Sequence, residues 1–244
     1  MLAGKKALVT GGSRGIGGAI ALRLAELGAD VAITYASAKD RAEEVVGLIT
    51  ATGRRGLAIA ADNTDSAAVV DAVDRTAAEL GGLDILVNNA GIFPSGLIGE
   101  VTEEEIDRTL AVNTRAVYVA SQAALKHMTE GGRIISIGSN LAERVPFPGV
   151  ALYAMSKAAL LGFTRGAARD LGDRGITVNL VQPGSTDTDM NPADAAGADH
   201  QRALTALGRY ADPREIAETV AHLAGPGARN ITGSLITVDG GANA

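Results

Sequence analysis

Short, apolar, β-branched runs recur along this chain, each followed by a stretch long enough for a helix. This alternation restricts the fold more than any other feature. The runs are 5–10 (KKALVT), 30–35, 56–60, 83–88, 133–137, 177–181 and 235–238. They are continuous in apolarity, as strands are when both faces of their sheet are covered. Between them, Ala and Leu recur at helical spacing through Leu27, with Gly28 as the stop. Residues 38–52 carry an apolar stripe of Val45, Val46 and Ile49, and a helix capped by Thr64 or Asp65 runs to Leu80. A long helix is predicted over 103–128, with Thr102 and Glu105 spaced as a capping box. Others follow at 152–171, at 193–206 and at 213–223, the last with Asp212 at its cap. The pattern predicts an α/β fold: a doubly wound sandwich of about seven parallel strands with helices on both faces. Its ligand crevice would lie at the carboxyl ends of the strands. No linker or composition shift divides the chain, so residues 1–244 are expected to form one domain, with a substrate-loop excursion near 185–210.

Composition removes several classes of function. There is no Cys, which excludes disulfides and thiolate catalysis. The three His, at 127, 200 and 222, are too scattered for a His-based metal site. The net charge of −6 and the lack of a Lys/Arg block give nucleic-acid binding no support. No run of eighteen apolar residues is present to cross a membrane, and residues 1–9 do not form a secretion signal, so a cytoplasmic location is expected.

The first strand runs into Thr10-Gly11-Gly12-Ser13-Arg14-Gly15-Ile16-Gly17. Glycines at 11, 15 and 17 permit a tight turn and close approach of a pyrophosphate to a helix N-terminus. The spacing is TGxxxGxG, and no Lys-Ser/Thr pair follows, which disfavours triphosphate hydrolysis. Strand two ends at Tyr35-Ala36-Ser37 with no carboxylate to take a ribose 2′-hydroxyl. A 2′-phosphate would instead meet Arg14, Ser37 and Lys39, although Asp40 weakens that patch. NADP(H) is therefore preferred as cofactor, with NAD(H) possible. Asp62 and Asn63 close strand three; Asp62 could accept from an adenine amino group or cap the following helix. Asn88, Asn89, Ala90 and Gly91 close strand four and leave room for a cofactor. Asn113, unfavourable inside a helix, marks either tolerance or an irregularity that holds a water.

The most chemically suggestive stretch is 133–165. A buried strand ends at Gly138-Ser139, a loop with Pro146 and Pro148 follows, and Tyr153 and Lys157 stand four apart on one helical face. A hydroxyl, a phenol and an ammonium can converge there. A phenol is a poor acid near neutrality, and a neighbouring lysine would lower its pKa. It could then exchange a proton with a carbonyl or alcohol oxygen.

Taken together, these marks resemble the short-chain dehydrogenase/reductase family in its short form, over essentially the whole chain. They are TGxxxGxG at 10–17, Asp62, NNAG at 88–91, Asn113, Ser139, Tyr153-x-x-x-Lys157, and Pro183-Gly184 followed by Thr188. The resemblance implies a Rossmann-type fold and hydride transfer between nicotinamide C4 and a ketone or aldehyde, or the reverse from a secondary alcohol. It implies Tyr153 as general acid/base, Ser139 orienting the substrate oxygen, and Lys157 lowering the Tyr pKa and binding the ribose. It implies that Asn113 supports a proton-relay water, and that Gly184, Thr186 and Thr188 meet the carboxamide end. Two features depart from the family pattern: the fourteen-residue gap from Ser139 to Tyr153, which suggests a bulge at 143–148, and Gln182 with Thr186 in the pocket wall.

The substrate pocket is expected to be apolar, lined by Phe93, Leu141, Phe147, Met190 and the segment 191–206, with Arg144 the one strong local cation. That suits an apolar ketone or a 3-oxoacyl thioester, the latter because the chain is similar to bacterial 3-oxoacyl-carrier-protein reductases. The Ala-rich helices and the DGG end resemble those of homotetrameric members. A non-catalytic NADP(H)-binding sensor or scaffold of the same fold is the rival reading.

Overall fold

The computed structural model describes residues 1–244. Seven strands form one parallel sheet: β1 (Lys6–Val9), β2 (Asp30–Tyr35), β3 (Gly56–Ala60), β4 (Ile85–Asn88), β5 (Arg133–Ile137), β6 (Thr177–Pro183) and β7 (Leu235–Val238). Their order is β3-β2-β1-β4-β5-β6-β7, every neighbouring pair being parallel. The chain leaves β1 towards β2 on one side and returns to β4 on the other. A crevice therefore opens between β1 and β4 at their carboxyl ends.

Side chains alternate across each strand, and the two faces fill separate cores. Ala7, Val9, Val31, Ile33, Val87 and Ile135 pack under α1 (Gly15–Glu26), α2 (Lys39–Ala51) and, towards the end of the chain, Pro213–Ala224. Leu8, Ala32, Leu86, Ile134 and Val178 face the other way, against α3 (Ser66–Leu80), the helix Ala116–Ala124 and Leu171. The runs are apolar throughout because neither face meets water. Burying each large aliphatic side chain contributes roughly 1.5–3 kcal/mol.

The capping chemistry is local. Asp65, rather than Thr64, caps α3, accepting from the amides of Ala67 and Ala68 at 2.8 and 3.3 Å. Thr102 and Glu105 form the expected box at the start of α4 (Glu103–Leu110). The long helix predicted over 103–128 is a correction. After α4 it widens into a π turn at Ala111–Arg115, resumes as α5 (Ala116–Ala124), and ends four residues early. Next come α6 (Ala151–Asp170), a short α7 (Ala198–Ala203) where 193–206 was expected, and α8 (Pro213–Ala224). Asp212 closes a second capping box with Glu215 on α8.

Candidate active site

The glycine turn is held from beneath. Thr10, 4% exposed, accepts the amides of Asn89 and Ala90 on its hydroxyl at 3.0 and 3.1 Å. Asn89 in return donates to the carbonyls of Thr10 and Gly11 at 2.9 and 3.1 Å. The β1 and β4 ends are thus stitched across the switch point. Two glycines are sterically required. Gly11 has φ +63°, and a Cβ there would lie 2.9 Å from Ala90 Cα. At Gly17 a Cβ would meet Asn89 Nδ2 and Gly11 O, both at 2.4 Å, so the first turn of α1 can press on this loop only without a side chain.

A cleft of about 440 Å³ runs from this turn across the strand ends. It is lined by Gly11, Ser13, Arg14, Gly15, Ile16 and Gly17; by Tyr35 and Ser37; by Asp62 and Asn63; and by Asn89, Ala90 and Gly91. At its other end stand Ser139, Tyr153, Lys157, Pro183, Gly184, Thr186, Thr188 and Met190. Of the residues expected to bind cofactor, Thr10 lies buried beneath the wall and Lys39 stands outside it. Asp62 accepts the Thr64 amide at 2.8 Å, and that bond, with the charge of Arg108, holds its carboxyl below the usual range.

At the reacting end, Lys157 is 4% exposed and donates from Nζ to the Ile137 carbonyl at 2.9 Å. No carboxylate pairs with it, and burial lowers its pKa to about 8. Nζ lies 5.9 Å from the centre of the Tyr153 ring. Burial raises the Tyr153 phenol above its usual 10, and the neighbouring Ser139 hydroxyl pulls it partly back. The ammonium is turned onto a carbonyl, and desolvation of the phenol outweighs its other influences. Phe93 packs edge-on against Tyr153, ring centres 4.6 Å apart.

Asn113 sits in the π turn and is fully buried. Its Oδ1 accepts the Ile92 amide at 2.9 Å, and Nδ2 donates to Ile92 O at 2.9 Å and to Ser156 Oγ at 3.0 Å. Both amide protons are therefore committed to fixing the segment after Gly91 against α6. A Cβ on Gly91 would stand 3.3 Å from Lys157 Nζ and 3.4 Å from Asn113 Oδ1, so the glycine leaves these groups their space.

Several placements differ from expectation. Phe93, Leu141, Phe147 and the segment 191–206 do not line the cleft, and of the expected pocket only Met190 does; Phe93 packs on the Tyr153 ring, and the Leu141 amide donates to Ser139 Oγ at 3.1 Å, because a 3₁₀ turn begins there. Arg144 is drawn away to the Ala242 carbonyl. Lys39 pairs with Glu43 at 3.6 Å, one turn along α2, and is absent from the wall. Sequence reasoning missed Arg108, Val112, Ile137 and Asp189 in the wall; Gln182, expected in that wall, is buried outside it, its Nε2 donating to the Ser139 carbonyl at 3.1 Å. An arginine on a helix and an aspartate in an irregular loop carry no pattern of their own. The 0% exposure of Gln182 follows from its place on a central strand.

A glycine-lined crevice at the switch point of a parallel sheet, ending on a serine, a phenol and an ammonium, defines an α/β enzyme built around a dinucleotide. A family model described as "Enoyl-(Acyl carrier protein) reductase" matches residues 11–243. The chain belongs to the short-chain dehydrogenase/reductase family, whose members are NAD(P)-dependent oxidoreductases. It is 62% identical to a short chain dehydrogenase from Burkholderia cenocepacia solved in complex with NADP, with a TM-score of 0.99 over 100% of this chain and 99% of that one. It is 47% identical over 97% of its length to the cyclic-di-GMP-binding biofilm dispersal mediator protein of Escherichia coli, covering 96% of that protein. It is 42% identical to the short chain dehydrogenase/reductase AacuN of Aspergillus aculeatus, over 99% of this chain and 96% of the relative.

Proposed function

We propose that this protein is an NADP(H)-dependent carbonyl reductase acting on apolar ketones. The observation that carries the reading is Ser139, Tyr153 and Lys157 lining the same cleft as the glycine turn, with Lys157 Nζ 5.9 Å from the centre of the Tyr153 ring. The residues present fit the cofactor: Gly11, Gly15 and Gly17 line the cleft at the N-terminus of α1, where a pyrophosphate would meet backbone amides, and Arg14 and Ser37 line it where they would meet a 2′-phosphate. No carboxylate closes β2 to favour a bare ribose. When bound, the nicotinamide supplies or accepts the hydride. Ser139 orients the substrate oxygen. Tyr153, held protonated by burial, donates its proton to that oxygen as negative charge develops, and the Lys157 ammonium then supports the phenolate and holds the ribose hydroxyls. Asn113 keeps Lys157 and Gly91 in register beside a relay water. Pro183, Gly184, Thr186 and Thr188 close the carboxamide end.

The apolar substrate follows from Phe93 against the phenol and from Met190 in the wall, 59% exposed. Leu97 and Ile98 stand exposed on the Phe93 loop at 52% and 91%. A 3-oxoacyl thioester would use the same face. On this reading residues 1–244 are one catalytic domain with its substrate loop at 185–210, working in the cytoplasm as a homotetramer of the 24.7 kDa chain.

Tyr153→Phe is expected to keep NADPH binding while kcat falls about a thousandfold; near-normal turnover would exclude this mechanism. Wild-type kcat/KM should favour NADPH over NADH. A second reading, a nucleotide sensor without turnover, draws on the Escherichia coli relative named for cyclic-di-GMP. NADPH oxidation by any member of an aryl- and alkyl-ketone panel would decide against it.

A further inference from the structure

Two arginines and one aspartate meet across the mouth of the cleft. Arg14 comes from the glycine turn and Arg41 from α2, while Asp189 comes from the segment after β6. Asp189 Oδ2 accepts from Arg14 Nη1 at 3.5 Å and from Arg41 Nη1 at close range. Arg14 and Asp189 both line the cleft, so the bridge joins its adenosine side to its nicotinamide side. All three side chains are more than half exposed, which leaves the contacts open to exchange. The arginines, Arg41 above all, hold the Asp189 carboxyl below its ordinary range. The other acid of that segment, Asp187, is committed to the Ala193 amide at 2.9 Å.

We propose that Asp189 is a cofactor-selectivity residue: its carboxylate occupies the guanidinium groups of Arg14 and Arg41, and the 2′-phosphate of NADP(H) must displace it to bind. The inference rests on the NADP(H) reading above, and it adds Arg41, from the first turn of α2, to Arg14 and Ser37 as a phosphate ligand. A phosphate near neutral pH carries more charge than a carboxylate and offers three oxygens to a planar fork, so it wins the exchange. NADH, lacking that phosphate, leaves the bridge intact. Asp189 therefore weakens NADPH binding and leaves NADH binding alone, while the exchange frees the segment 185–192 from α2.

The test is calorimetric titration of wild type, Asp189→Asn and Asp187→Asn with NADPH and with NADH. Asp189→Asn is expected to bind NADPH about three- to tenfold more tightly, the scale of two exposed ion pairs, with its NADH affinity unchanged. Asp187→Asn should leave both affinities unchanged, which separates the bridge from a general loss of negative charge. In an Arg41→Ala background the gain from Asp189→Asn should shrink. An unchanged NADPH affinity in Asp189→Asn, or equal gains for both cofactors, would overturn the proposal while the NADP(H) reading stood. Wild type binding NADPH and NADH equally would remove that reading and the proposal with it.

Discussion

Lys157 holds its ammonium where water does not reach, with one carbonyl for company. Its pKa of about 8, against an ordinary 10.5, measures what that burial costs. Below pH 8 the folded and unfolded chains both carry the proton, and the charged side chain is a full penalty on the fold. Between pH 8 and 10.5 the folded protein releases its proton first. The unfolded chain then binds more protons, and stability rises with pH. At roughly 1.4 kcal/mol per unit, the penalty at pH 7 is about 3 kcal/mol. Lys157→Met, free of that charge, should be the more stable protein at pH 7 without cofactor, by up to about that amount, and its advantage should close as pH approaches 10. Urea unfolding of both proteins at pH 7 and pH 9.5 measures it; an advantage that stays constant would show that the ammonium is not held at a depressed pKa. Tyr153 acts in the opposite sense, its raised pKa removing stability only above pH 10. The acid and the ammonium are thus tuned apart by burial. This was not legible in sequence, where Tyr153 and Lys157 stand four apart and their desolvation does not show.

The interrupted helix α4–π turn–α5 is the element on which the reacting end depends. Asn113 was legible as a misfit, since its side chain has no partner within a regular helix. That the misfit widens the helix into a π turn was not, because the cause lies in tertiary partners: Ile92, after β4, and Ser156, on α6. Asn113→Ala leaves the Ile92 amide and carbonyl and the Ser156 hydroxyl short of partners in a buried setting. The expected loss is about 2–4 kcal/mol of stability, with kcat reduced more than NADPH affinity, because Gly91 and Lys157 lose their register. Thermal unfolding and steady-state kinetics on the same preparation check both; an unperturbed kcat would place Asn113 outside the working machinery. Elements whose register depends on local signals were read correctly. The strands β2, β3, β5 and β7 keep their expected bounds, β5 and β7 because their β-branched runs stop at Gly138 and Asp239. By contrast, α7 shrank to Ala198–Ala203, and Phe93, Leu141 and Phe147 stand outside the cleft wall, since loops with little periodicity take their paths from the surfaces they cross.

The whole molecule is two βα halves joined at a seam, with the residues that line the cleft distributed on both sides. The glycine turn, Tyr35, Ser37 and Asp62 belong to the half around β1–β3, while Ser139, Tyr153, Lys157 and Thr188 belong to the half around β5–β6. A ligand lying along the cleft touches both halves and ties them together, whereas unfolding scatters every contact at once. Binding to the folded state alone stabilises by RT ln(1 + [L]/Kd), about 2.7 kcal/mol at a hundredfold excess over Kd. For a chain of this size each kcal/mol moves Tm by about 2–4 °C, so saturating NADPH should raise Tm by about 5–10 °C. NADH at the same concentration should raise it less, because Arg14 and Ser37 gain no phosphate. Differential scanning calorimetry with matched concentrations of NADPH, NADH and cyclic-di-GMP distinguishes the possible occupants of the seam. A shift from cyclic-di-GMP alone would make this chain a nucleotide sensor on an oxidoreductase scaffold; a shift from NADPH that exceeds the other two is what the two-sided cleft predicts.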